Sequence, residues 1–291
     1  MQRRSWPAAL GLAALWGLSF LFLRELVDGF GWALAALLVC LVVALGVGVV
    51  EWSRAGRWTL GGSPDRVLVL ALSICVQNVG LCLALDRLGV ALAAIVLGAT
   101  PLFATLTGQV WGVDRITGRA AIGLMVGLVG LVMVVVFPVH GDSWAFIAGM
   151  LAGLIGALAA AFSTRYSMLR LGGRPAASAN ANLAATVFTV PVVLFAGPAG
   201  AGSWGAYLTL ALVGIIAAVI GPLFGVRRED GRPGRESVVK TVGVVIAAVI
   251  GMVVRGEQLS FAQFMGLLLM MAGTVLVLEL VPNRVLARWR R

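Results

Sequence analysis

Long apolar runs joined by short polar connections make up most of the chain. Ten stretches meet or approach the ~20 largely apolar residues that a helix needs to cross a bilayer: residues 7–23, 30–50, 67–85, 90–112, 119–137, 144–164, 177–196, 204–225, 238–254 and 261–280. The short connections leave little chain for separate soluble domains, so the pattern predicts one compact bundle. The expected fold is an all-α integral membrane protein with ten transmembrane helices. Gln2-Arg3-Arg4 and the apolar run behind it have the look of a signal peptide. No small-x-small cleavage site follows and a second run begins almost at once, so the first run is predicted to be a retained helix.

Composition agrees with this. Hydrophobic residues are 60% of the chain and charged residues 12%, about half of the ~25% charged share of a soluble domain. The net charge of +10 does not point to nucleic acid, because the arginines form short clusters between apolar runs with no continuous basic face. Their placement sets orientation instead. With the N-terminus inside, the inner segments hold Arg3, Arg4, Arg54, Arg57, Arg66, Arg115, Arg119, Arg165, Arg170, Arg174, Arg227, Arg228, Arg232, Arg235, Arg284, Arg288, Arg290 and Arg291, which are 18 of the 22 basic residues. The outer loops hold Arg24, Arg87 and Arg255, and Lys240 falls inside a helix. Basic residues collect on the cytoplasmic side, so both termini are expected there, in an inner (plasma) membrane.

The halves repeat. GVDRITGRAAIGLMVGLVGLVMVV from Gly112 and RGEQLSFAQFMGLLLMMAGTVLVL from Arg255 align at a constant offset of 143 residues. Asp114 then matches Glu257, Ile116 matches Leu259, and Thr117 matches Ser260, while Gly123 matches Gly266 and Gly130 matches Gly273. Five helices is an odd number, so the second copy enters the membrane upside down. Two inverted five-helix repeats are expected, over residues 1–140 and 141–291, with a site near mid-membrane between them.

These residues resemble the drug/metabolite transporter superfamily, in its EamA type. The likeness is best over residues 84–136, beginning ALDRLGVALAAIVLGATPLF, which is similar to the end of helix 3, a Pro-containing helix 4, an acidic turn and a Gly-rich helix 5. It recurs in GEQLSFAQFMGLLLMMAGTVLV (256–277), and LWGLSF (Leu15 to Phe20) resembles the family's helix 1 motif. The resemblance implies transport of a small metabolite, more often export than import, and says almost nothing about which one. The chain departs from the family pattern in lacking an arginine near the start of helix 2 and in a longer polar stretch from Arg227 to Glu236. Gly243-Val244 also stands where a Glu-Pro pair would fall, although Pro101 is kept at the matching place in the first half.

Polar side chains in the bilayer core are costly, so each is a candidate for function. Gln77 and Asn78 lie near the middle of helix 3, where their amides can hold a solute or bond between helices. Asn180 and Asn182 read as structural. Trp16 lies ~15 Å into the span, too deep for an interfacial anchor, and with Ser19 one turn on can line a cavity. Trp6, Trp52, Trp144, Trp204 and Trp289 sit close to helix ends and fit an aromatic belt. Pro101 frees the carbonyl of Leu97 and can bend the helix, serve as a hinge, or expose that carbonyl to solute. Gly123/Gly127 and Gly149/Gly153 have the spacing of close helix contacts. Lys240 is the only lysine; its ammonium either snorkels to the cytoplasmic interface or points into the cavity and holds an anionic group. No carboxylate is placed as a mid-membrane proton carrier, which favours uniport or exchange. The cysteines Cys40, Cys75 and Cys82 read as small hydrophobes, and His140 has no Cys or His neighbour in sequence, so neither a metal nor a cofactor is expected.

The function expected from this reading is alternating-access transport of an amino-acid-like or other polar or amphipathic solute by a monomer or homodimer. A flippase for an amphipathic or lipid-linked substrate, or a non-transporting membrane subunit, is the alternative. An intramembrane enzyme would need clustered His, Asp or Glu in the helices, and none is present there. The topology is directly testable. Impermeant cysteine labelling should report positions Gly141 and Gly200 outside and Gly231 inside, and an outward Gly231 would sink the ten-helix arrangement.

Overall fold

In the computed structural model, residues 6–56, 61–111, 117–136, 143–197, 200–225 and 235–278 are described. They form ten helices: α1 (Trp6–Phe30), α2 (Trp32–Ala55), α3 (Pro64–Leu97), α4 (Thr100–Val110), α5 (Gly118–Val136), α6 (Ser143–Leu171), α7 (Pro175–Ala196), α8 (Trp204–Gly225), α9 (Arg235–Arg255) and α10 (Phe261–Val277). Among the described residues, six helices (α1, α2, α3, α5, α6 and α7) are long and apolar enough to cross a membrane, and α10 and part of α8 are shorter apolar helices. The fold class is therefore that of an all-α integral membrane protein. Arg3, Arg4, Arg57, Arg115, Arg227, Arg228, Arg232 and the C-terminal arginines lie outside the described residues, as do Asp114, His140 and Trp289.

Several helices outrun expectation: α2 ends at Ala55 instead of residue 50 and α6 at Leu171 instead of 164, so Glu51, Arg165 and Arg170 lie within helices, and two further differences bear on the site. Helix α1 runs on to Phe30 instead of ending at residue 23, which puts Arg24, Glu25 and Asp28 on its last turns and not in a loop. Charged residues end a run of hydropathy without ending backbone hydrogen bonding, and Gly31 (φ 80°) supplies the turn. Likewise Asp86 and Arg87 lie within α3. At 34 residues a straight α3 would measure about 51 Å, far beyond the ~30 Å hydrocarbon core. It is not straight: Gly89 has φ 82°, which only glycine adopts freely. A Cβ on Gly153 would touch both Ala84 and Val96. Residues twelve apart reach one point only if the chain reverses between them, so 90–97 is a short return helix.

The return helix and α4 together make the predicted fourth span, interrupted at Gly98–Ala99 beside Pro101. Pro101 has no N–H for the Leu97 carbonyl. The Thr100 hydroxyl donates to that oxygen at 2.6 Å instead, so the break carries no lost bond there.

Glycine sets how closely the helices approach. On α5 the exposed residues Ile122, Met125, Val129, Val132 and Val136 recur at helical spacing and form a lipid face. The opposite face is Gly123, Gly127 and Gly130. A Cβ on Gly123 would lie 2.7 Å from the Gly273 carbonyl oxygen, and one on Gly130 would lie 2.5 Å from that of Gly266. The reverse contacts hold too: a Cβ on Gly273 would meet the Gly123 oxygen, and one on Gly266 the Gly130 oxygen. The antiparallel backbones of α5 and α10 thus touch directly. On the α3–α6 contact Gly80 and Gly156 likewise meet backbone, while Gly149 and Gly153 make room for the side chains of Arg87, Leu88, Ala84 and Val96; Gly17 and Gly243 line the α1–α9 contact.

The packing has a two-fold logic. Helix α5 packs on α10, α2 on α7 and α8, α3 on α7, α1 on α9, and α4 on α6. Exchanging the first five helices for the last five leaves α5–α10 and α2–α7 unchanged, turns α2–α8 into α3–α7, and turns α1–α9 into α4–α6. It also maps the Gly123–Gly273 contact onto Gly266–Gly130.

Because a backbone oxygen cannot move aside, Gly130→Ala should destabilise the bundle by about 1–3 kcal/mol, the usual range for overpacking. Gly118→Ala, with nothing within 4 Å of its would-be Cβ, should change little. Unfolding of the two variants in detergent checks this, and equal stabilities would contradict the seam.

Candidate functional site

Eight of the ten helices surround one cavity of about 420 Å³, within the ~300–1,000 Å³ of small-molecule sites. Helices α5 and α10 contribute nothing to its wall. Its lining reaches from mid-helix residues of α1, α2 and α8 to residues near the N-termini of α3, α7 and α9 and the C-terminus of α6, ending at Gly173 in the α6–α7 connection. These ends lie on one side of the bundle, the side expected to be cytoplasmic.

Trp16, Ser19, Gln77, Asn78, Pro101 and Lys240 all line this cavity. Lys240 is not turned away along the membrane surface: its ammonium stands 5.7 Å from the centre of the Trp16 ring, within cation–π range. The ring is held from below by Phe20, edge-on at 6.1 Å, and from the side by α9. A Cβ at Gly243 would run into Cδ1 of Trp16 and lie 3.0 Å from the Ala13 carbonyl oxygen. Lys240 and Gly243 are three residues apart on one helix face, so the lysine sits over the indole because the glycine lets the indole in.

Across the cavity, α3 presents its two amides. The Asn78 amide donates to Cys40 Sγ at 3.1 Å, and the Gln77 carbonyl oxygen accepts from the Ser163 hydroxyl at 3.1 Å. Both therefore bond between helices, and both still line the cavity. Ser19 donates to the Trp16 carbonyl at 2.6 Å, so its hydroxyl has only acceptor capacity left for a solute. Asn180 and Asn182 donate to Ala176 and Ser178 carbonyls, 2.8 and 2.9 Å away on their own helix. That is the structural role expected of them, although Asn182 also reaches the wall. Thr100, Ser163, Thr164, Ser167, Ser178 and Thr241 complete the polar lining. Sequence reasoning passed over them, because hydroxyls that can bond to the preceding turn cost little in a membrane helix.

The opposite ends of the helices are tied together. Arg24 donates to the carbonyls of Leu85 and Asp86 and pairs with Asp28 at 2.8 Å. Arg255 reaches back from the end of α9 to Glu25 at 2.9 Å and Asp28 at 2.5 Å. The Glu257 carboxylate accepts from the amides of Val90 and Ala91 at 2.7 and 2.6 Å. It caps the N-terminus of the return helix, where exposed N–H groups and the helix dipole favour an anion. Gly89 lies so close that a Cβ there would meet this carboxylate.

Residues 140–279 match the model of the EamA-like transporter family. They are an EamA-like transporter domain. The domain spans α6 to α10, a little under half of the chain, and EamA is a family of membrane transporters. The resemblance read from the sequence is thereby shown. A protein of known crystal structure, 20% identical, shares the fold with a TM-score of 0.60 over 95% of this chain and 99% of its own. No curated protein matches the sequence. The EamA-like domain supplies Lys240, Gly243 and the α6–α8 wall, and the remaining helices supply Trp16 and the amides.

Gly243→Ala should displace the Trp16 ring and cost about 1–3 kcal/mol of stability. Trp16 fluorescence, read after the other tryptophans are replaced by phenylalanine, should change its emission maximum in this variant. An unshifted spectrum with unchanged stability would mean that the indole does not rest on Gly243.

Proposed function

We propose that this protein moves a small polar metabolite across a bacterial-type inner membrane by alternating access, with export as its working direction. The observation that carries the reading is the pairing of a largely apolar cavity, carrying amides, hydroxyls and one ammonium in its wall and open towards one side, with an ion-pair cluster that ties the helix ends on the other. A transporter caught facing the cytoplasm has this form. The arginine distribution supports cytoplasmic termini and so an inward-facing cavity. The exchange symmetry of the packing supports two inverted halves divided near residue 140, which rock about the cavity.

The ties at the outer end suit a gate. Exposed ion pairs contribute ~0.2–1 kcal/mol each, enough to bias a two-state equilibrium and little enough for solute binding to overturn. A solute drives the cycle by binding the two states unequally. Glu257 links the α9–α10 connection to the return helix beside the cavity, so release of Arg255 and movement of α9 reach the cavity wall directly. Among the described residues, the lining holds no carboxylate, in keeping with uniport or exchange.

Arg255→Ala should raise the outward-facing population several-fold. With the native cysteines replaced and Val27→Cys introduced at the buried outer end of α1, an impermeant maleimide should react faster in the Arg255→Ala background. Proteoliposomes loaded with a metabolite mixture and read by mass spectrometry should lose particular solutes faster than protein-free vesicles, with weak dependence on an imposed pH gradient. Unchanged labelling would remove the gate, and an absence of any protein-dependent flux would remove the transporter.

A further inference from the structure

The cavity's wall changes character from one end to the other. With the return helix and α4 taken as one span, seven of the eight spans that line it have an apolar residue at their outermost described lining position, Leu23 on α1, Val39 on α2, Leu81 on α3 and Val213 on α8 among them. The exception is α7, whose lining goes no further than Asn182, ~10 Å from the start of that helix. Polar groups come nearer the mouth. Lys240 and Thr241 precede Val244 on α9, Ser19 precedes Phe20 and Leu23 on α1, and Gln77 and Asn78 precede Leu81 on α3.

The blind end is built from Phe20, Leu23, Val39, Leu81 and Val213, all buried and all members of one apolar core cluster. Water there would find no hydrogen-bond partner among those side chains. An apolar group of a solute would take its place with a gain of roughly fourfold in affinity for each buried CH2. The helices set the size of that group. Ser19 to Leu23 is a rise of ~6 Å and Asn78 to Leu81 one of ~4.5 Å along their helices, the reach of a branched butyl or a phenyl group.

Resting on the transporter reading above, we infer that the solute is amphipathic: a compact apolar group, of branched-alkyl or phenyl size, fills the blind end among Phe20, Leu23, Val39, Leu81 and Val213, and its polar head stays beside the amides and hydroxyls nearer the mouth. Sugars and other solutes polar throughout are discriminated against, because the blind end offers them no partner. An apolar floor that served only to seal the outer side would show no such preference.

The test uses the purified full-length protein in detergent and four kinds of head group, so that the charge of the head does not decide the outcome. Glycine, valine, leucine and phenylalanine are the zwitterions, and the carboxylates, primary amides and amines bearing the same side groups complete the set. Calorimetry and thermal stabilisation read binding, since a ligand of the folded state raises its melting temperature. In at least one series, affinity should rise tenfold or more from the bare head to the side group of leucine or phenylalanine. Val213→Phe, which shortens the blind end, should move the optimum to a smaller side group. Leu81→Ala, which deepens it, should move the optimum to a larger one, and loss of folding cannot produce such opposite shifts. Val39→Leu takes the place of Val213→Phe if that variant does not fold. The inference is overturned if affinity stays flat or falls along all four series, if nothing binds, or if the floor variants keep the wild-type optimum. A gain that keeps growing to an octyl or dodecyl group would assign the blind end to a lipid acyl chain or to micelle partition, and overturn it as well. Flux separates the two readings. Size-selective binding without transport would leave this inference standing and remove the transporter, and transport of wholly polar solutes that Val213→Phe does not affect would do the reverse.

Discussion

In a bilayer an apolar side chain gains nothing by exchanging lipid for a neighbouring helix, so helices associate by close fit and by polar contacts. Here the close fit is made largely of bare backbone. Glycine faces carbonyl oxygen along α5–α10, α3–α6 and α1–α9, and the positions of the other helices follow from these seams. The cavity exists because the seams draw some helices together at their glycines while bulkier side chains hold others apart. Trp16 shows both effects at once: its ring fits because Gly243 lacks a side chain, and the same ring carries Lys240.

Polar groups follow a complementary rule. A buried amide or ammonium without a partner is expensive in hydrocarbon, so such groups gather where they satisfy one another or face water. Asn180 and Asn182 bond to their own helix, Gln77 and Asn78 bond across helices at the cavity edge, and the carboxylates and arginines withdraw to the helix ends. The result is a molecule with a mostly apolar hollow, dotted with amides and hydroxyls, on one side of its middle and a charged fastening on the other.

That rule is why so much of the site was legible in the sequence. Gln77 and Asn78 stood out because amides are costly at mid-span, Trp16 because it lies too deep for an interfacial anchor, and Lys240 as the only lysine and the one basic residue expected inside a helix, and all four line one cavity. Pro101 was legible for the same kind of reason, since a missing N–H leaves the Leu97 oxygen in need of a donor, although nothing pointed to Thr100 as that donor. Hydroxyls such as Ser163 and Ser167 gave no signal, being tolerated wherever a helix carbonyl is near. Contacts between distant residues were invisible too: the Glu257 carboxylate caps amides 166 and 167 residues away, and before folding it is one acidic residue in a connection. Gly243 was read as a missing Glu-Pro pair. Its physical role, accommodating an indole from α1, needed the two helices side by side. The extent of α1 was misjudged because hydropathy marks where lipid ends and not where a helix does.

The seam between α5 and α10 has one more consequence. Its two glycine contacts are images of each other under exchange of the halves, so they lie on either side of a single point of symmetry. A rotation about that point leaves both contacts equally loaded, whereas any sliding or tilting drives backbone into backbone at one of them. Neither helix takes part in the cavity wall, so this point and the cavity are built from different helices. The seam therefore has the geometry of a fulcrum: with no side chain to cushion either contact, sliding or tilting of α5 along α10 is obstructed by bare backbone at one contact or the other.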